Sequence, residues 1–119
     1  MLQRILLATI LSLLLHVTLG WAFTLVAGLV AGATAPRRGW LTGAVGVALG
    51  WGGLVVYSAV TAPGATDALL GILGGLFGNI PGMLVVGCTL LIGALLGALG
   101  GLIGFSAMRL LESSTASFA

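Results

Sequence analysis

LIGALLGALGGLIGF, residues 91–105, decides what kind of protein this is. No side chain in it is charged, and glycine recurs at Gly93, Gly97, Gly100 and Gly104, with Ala107 continuing the series. A 4, 3, 4, 3 spacing keeps one side of a helix nearly bare for almost four turns. The same spacing appears earlier at Gly39, Gly43, Gly46, Gly50 and Gly53. Lipid tails are as apolar as leucine, so helices in a bilayer associate through close backbone approach, dispersion and weak Cα–H···O bonds. Stripes of glycine permit that approach. Strict GxxxG steps also occur at Gly28–Gly32, Gly71–Gly75, Gly93–Gly97 and Gly97–Gly101.

Around these stripes the chain is almost free of charge. Between Ile5 and Met108 only Arg37, Arg38 and Asp67 are formally charged. Across 119 residues, 60% are hydrophobic and 5% charged, against roughly 25% charged in soluble domains. The reading is all-α: a polytopic integral membrane bundle forming a single transmembrane domain over residues 1–119. Its net charge of +2 comes from four scattered arginines, which form no basic patch among stacking aromatics and exclude a nucleic-acid surface. Cys88 is the only cysteine, so an internal disulfide is excluded, and its apolar setting predicts an inert, buried thiol.

Arg4 followed by Ile5–Leu15 imitates a secretory signal. Thr18-Leu19-Gly20 is a poor cleavage site, however, and the apolar run resumes at Trp21, so an uncleaved anchor is expected.

Residues 2–35 would make one helix of ~50 Å, too long for a ~30 Å hydrocarbon core even when tilted. A break near Thr18-Leu19-Gly20 gives two spans, about 4–18 and 21–35. Residues 39–61 form a third span and 82–108 a fourth, within a helix reaching 111. A short helix at 68–78, capped by Thr66 or Asp67 and stopped at Asn79-Ile80-Pro81, lies re-entrant or interfacial on the outer side. The polar tail 112–119 is expected to be mobile. Four spans place Arg4, Arg37, Arg38 and Arg109 on one face, as the positive-inside rule favours, and three spans is the alternative. On this map both termini are cytoplasmic. Trp21 and Tyr57 fall near the outer interface and Trp40 beside the arginines. Trp51 falls mid-span, filling space its neighbouring glycines leave open.

The stripes align with each other. GWLTGAVGVALGW (39–51) matches GALLGALGGLIGF (93–105) at six of thirteen positions. The two helices would run in opposite directions, as in the inverted repeats of many transporters. Gly/Ala/Leu-rich helices also match one another readily, and no further similarity appears at the same offset.

Reactive groups are few. His16 is the only ionisable group placed within the bilayer that could serve a membrane enzyme or proton-coupled transporter, and its place near the outer end of the first span predicts a water-facing interfacial role. No intramembrane carboxylate is available as a proton carrier or general base. One His and one Cys cannot build a metal site, and the glycine runs lack the Lys of a phosphate-binding loop. Thr9, Ser12, Thr24, Thr42, Ser58 and Thr89 are expected to bond their own helix carbonyls. Arg109 and Glu112, three apart, are positioned to pair at the surface. No catalytic, cofactor-binding or metal residue is assigned, and the chain is read as a non-enzyme without a cofactor.

The Trp21–Gly32 span leading into a basic turn, the Gly50-Trp51-Gly52-Gly53-Leu54 centre and the Thr89–Gly104 helix together resemble short Gly-rich inner-membrane proteins of bacteria that have no known activity. The resemblance covers most of the chain and implies a bacterial inner-membrane location, with no site residues. The favoured function is a non-catalytic scaffold or accessory subunit, homo-oligomeric or part of a larger membrane complex in the lipid bilayer. The alternative is a small oligomeric channel or transporter for ions or small solutes. A polar cavity reaching the helix break around Asn79-Ile80-Pro81, lined by Asn79, Thr89 or Ser58, would favour transport, and a dry, filled interior the scaffold.

Overall fold

A computed structural model describes residues 1–117. Among them the chain is helical throughout: α1 (Leu2–Leu19), a 3-10 turn (Trp21–Phe23), α2 (Thr24–Thr34), α3 (Gly39–Thr61), α4 (Pro63–Leu76) and α5 (Gly82–Ser117). The protein is a helical membrane bundle. Three helices, α1, α3 and α5, are long and apolar enough to cross a bilayer, and Trp21–Thr34 is a shorter apolar helix.

The expected break near residue 20 is present. Gly20 adopts φ 104°, a backbone geometry that costs L side chains strain, and its N–H bonds Leu15 O at 3.1 Å. The second leg is shorter than a span. The 11 residues of α2 cover only about 17 Å at 1.5 Å per residue.

Contacts between backbones fix the helix directions. Gly43 meets Gly97 and Gly39 meets Gly101, so α3 and α5 are antiparallel. Gly28 meets Gly97 and Gly32 meets Gly101, so α2 runs parallel to α5. Ala8 lies against Gly46 and Ser12 against Gly50, so α1 runs parallel to α3. α1 and α2 are therefore the legs of an antiparallel hairpin. The start of α1, the α2–α3 turn and the C-terminal half of α5 share one end of the bundle.

Three expected boundaries move. α4 begins at Pro63, not at 68, and ends at Leu76; Ala62 takes the cap position in place of Thr66 or Asp67. Proline at N1 supplies a preset φ and lacks an N–H that would be orphaned there, so it starts the helix. Gly78 (φ 90°) and Asn79 (φ 63°) reverse the chain after α4, with Ile80 N–H donating to Gly74 O at 3.1 Å. The tail is the third difference. α5 continues through Ser117, so residues 112–117 are helical and only the last two tail residues lie outside the described ones. Ser113, Ser114, Thr115 and Ser117 donate to carbonyls three or four residues back, at 2.8–3.2 Å, which keeps this polar stretch in helical register. With 36 residues, α5 is about 54 Å long and accounts for most of the 61 Å long axis.

Candidate functional site

The glycine stripes divide between neighbours within the chain. Of the first, Gly39 and Gly43 face α5 while Gly46 and Gly50 face α1. Gly53 is exposed, and its nearest side-chain neighbour is Leu13 Cδ2 at 3.8 Å from where a Cβ would stand. Of the second, Gly93, Gly97 and Gly101 face α3, whereas Gly100 and Gly104 face α2, at Leu25 O and Leu29 O. Gly97 sits between two helices, against Gly43 O and, across α2, Gly28. Ala107 is exposed. The GxxxG step of α4, Gly71 and Gly75, has nothing within 4 Å.

The four arginines gather at the end where α3 begins. Arg4 is in the first turn of α1, Arg37 and Arg38 are in the α2–α3 turn, and Arg109 is in the last part of α5. Arg109 does not make the expected pair with Glu112. Its guanidinium lies 4.9 Å from the centre of the Phe105 ring, a cation–π geometry that holds the charge beside the membrane end.

At the other end the packing opens. α2 covers only the Gly97–Gly104 half of α5, so the Val85–Thr89 part is left facing a cavity of about 650 Å³. The cavity is an open groove, exposed along its rim at Trp21, Ser58, Thr61, Ala62 and Leu69, and its volume falls within the range of about 300 to 1,000 Å³ of small-molecule sites. The cavity extends from His16, Trp21 and Trp51 to the α3–α4 turn at Ala62. α4 forms one wall with Leu69, Leu70 and Leu73. Ser58, Thr61, Thr66 and Thr89 supply hydroxyls. Two of these are spoken for as donors, Thr61 Oγ1 to Tyr57 O at 2.8 Å and Thr89 Oγ1 to Val85 O at 2.9 Å, so toward the cavity they act as acceptors. No arginine, aspartate or glutamate borders it. Asn79 does not reach it; it serves the turn after α4 instead.

His16 departs from its expected place. It turns inward and packs edge-on against Trp51, with ring centroids 5.3 Å apart and planes at 84°. Trp51 is 8% exposed, and Gly93 lets it lie flat, since a Cβ there would stand 3.1 Å from the indole. Three buried polar atoms meet no hydrogen-bond partner: Ser12 Oγ, His16 Nδ1 and Trp51 Nε1. Of the other hydroxyls, Thr24 bonds Trp21 O at 2.6 Å. Thr9 shares its single hydroxyl proton between Ile5 O at 2.9 Å in its own helix and Gly46 O at 3.1 Å across in α3.

Cys88 is also corrected. It is exposed on α5, on a face that no other helix covers.

The inward polar face of α1 was missed from the sequence. Its signal was the spacing of Thr9, Ser12 and His16, three and four apart, which puts them on one helical face. Among the described residues no cluster of His, Cys, Asp or Glu could hold a metal ion. Comparison with known proteins returns no match: no family model, no curated relative and no solved structure.

Proposed function

We propose that this chain is a membrane-integral unit that binds a small uncharged solute in the cavity and passes it across the bilayer. One observation carries the reading: a cavity of about 650 Å³ reaches the middle of the bundle at His16 and Trp51 with no charged residue on its border. An ion placed there would lose its hydration with no counter-charge to replace it, a cost of several kcal/mol or more. A neutral molecule carries no such penalty. The scaffold reading rested on glycine surface available to partners, and most of that surface is taken up by the chain's own helices. The arginine-bearing end is assigned to the cytoplasm of a bacterial inner membrane, by the positive-inside rule.

The test is solute flux in proteoliposomes, followed by light scattering, for glycerol, erythritol, urea and sodium chloride. At least one uncharged solute should cross faster than in protein-free liposomes, sodium chloride should not, and Val85→Trp, which fills the cavity, should abolish the difference. Failure of every uncharged solute would end this reading.

A second reading keeps the self-associating scaffold, on α4 in place of the stripes. Gly71 and Gly75 stand four apart with open space where a Cβ would sit, a small-residue step suited to a second helix. Under it, Gly71→Leu should lower the mass of the detergent-solubilised protein, read by light scattering on a sizing column. An unchanged mass removes it.

A further inference from the structure

Past the floor of the cavity, polar side chains continue along the α1–α3 interface. Thr9, Ser12 and His16 form one face of α1, and it lies against Gly46, Gly50 and Trp51 of α3. Ser12 is 0% exposed and Trp51 8%, yet Ser12 Oγ, Trp51 Nε1 and His16 Nδ1 bond to nothing. Buried polar groups are nearly always satisfied, and three neighbouring exceptions point to a second arrangement in which they are bonded.

The chemistry of the three is complementary to a hydroxyl. The indole Nε1–H only donates, the Ser12 hydroxyl donates and accepts, and a neutral imidazole offers one of each. A hydroxyl is the group that can accept from an indole N–H and donate to a serine oxygen or a neutral imidazole, and a purely apolar molecule can do neither. α1 meets α3 through Ala8 on Gly46 and Ser12 on Gly50, and one hydrogen bond crosses the seam, from Thr9 Oγ1 to Gly46 O, which must break when the two helices part.

We propose that Ser12, His16 and Trp51 form an inner subsite for a hydroxyl-bearing uncharged solute, entered from the cavity when α1 moves away from α3. The inference rests on the transport reading above and adds to it the solute class and the path. The solute leaves the apolar vestibule hydroxyl first, exchanges water for these three groups, and continues between α1 and α3 past Thr9 toward the arginine-bearing end.

The experiment locks the seam. A Cβ on Gly50 would stand 3.0 Å from that of Ser12, slightly inside the ~3.5–4.5 Å of disulfide-linked pairs, so Ser12→Cys with Gly50→Cys on a Cys88→Ser background can be cross-linked. Glycerol flux is then measured in proteoliposomes, oxidised and reduced, alongside His16→Phe and His16→Gln in the wild-type chain. The expected result is flux abolished by oxidation relative to the same protein reduced, the reduced pair running below wild type because it has lost the Ser12 hydroxyl. His16→Phe should lower it about tenfold, the scale of one lost hydrogen bond, with His16→Gln retaining most of it. Full glycerol flux through the locked protein would overturn the inner subsite and leave transport through the cavity standing. Flux of urea without glycerol would overturn the hydroxyl class. Flux of no solute at all would remove both proposals. The locked and His16→Phe proteins must elute as the wild type does on a sizing column, which separates a blocked path from a misfolded bundle.

Discussion

At Gly97 a single hydrogen separates two backbones. A methyl group there would run into Gly43 O and stand 2.9 Å from Val47 Cβ, both on α3. Overpacking of this kind costs about 1–3 kcal/mol in well-packed cores, and here the obstacle is backbone, which cannot rotate away. Gly97→Ala should therefore lower the thermal midpoint in detergent by several degrees. The same change at Gly87, where nothing lies within 4 Å, should leave it level or raise it slightly, since alanine is the better helix former by about 0.5–1 kcal/mol. Equal effects at the two sites would remove the close-approach account. The stripes containing Gly97 are visible in the sequence because their period is that of a helix. Which neighbour each glycine meets is not, because period specifies a face and says nothing of what covers it. His16 was misread for a related reason: hydropathy placed it near a span end, whereas the face it shares with Thr9 and Ser12 is what carries it inward beside Trp51.

Among the elements, the hairpin of α1 and α2 makes the plainest topological claim. Residue 2 and the α2–α3 turn lie at the same end of the bundle, and the α3–α4 turn lies at the other. Single cysteines at positions 2, 37 and 65 on a Cys88→Ser background should follow that division in intact cells, with a charged thiol reagent labelling 2 and 37 from one side and 65 from the opposite one. Opposite-side labelling of 2 and 37 would break the hairpin. Cys88 itself is exposed in a lipid-facing stretch, so an uncharged, membrane-permeant maleimide should modify it far faster than a charged one. The hairpin was legible from length and charge together, since residues 2–35 exceed one straight span and a split puts Arg4 on the side of Arg37 and Arg38. The start of α4 was not. The Pro63-Gly64 pair reads as a turn, and only the preset φ of proline at N1 turns it into the first turn of a helix. The tail misled for want of apolar residues, while its hydroxyls bond locally and keep α5 going.

For the molecule as a whole, the shortness of α2 decides when the fold can form. Its glycine face is complementary to Gly97–Gly104 of α5, about 70 residues further along the chain. At ~5–20 residues per second a ribosome needs roughly 4–14 s to deliver that partner. Through that interval α2, too short to cross a ~30 Å core alone, can pack only on α1 and α3, and its glycine face stays uncovered. The last helix synthesised is thus the one on which the second must assemble. Chains halted before residue 93 should show α2 shallow and open to protease from the water phase, and full-length chains should show it protected. A membrane insertase that holds α1 and α2 during those seconds should therefore raise the yield of folded protein.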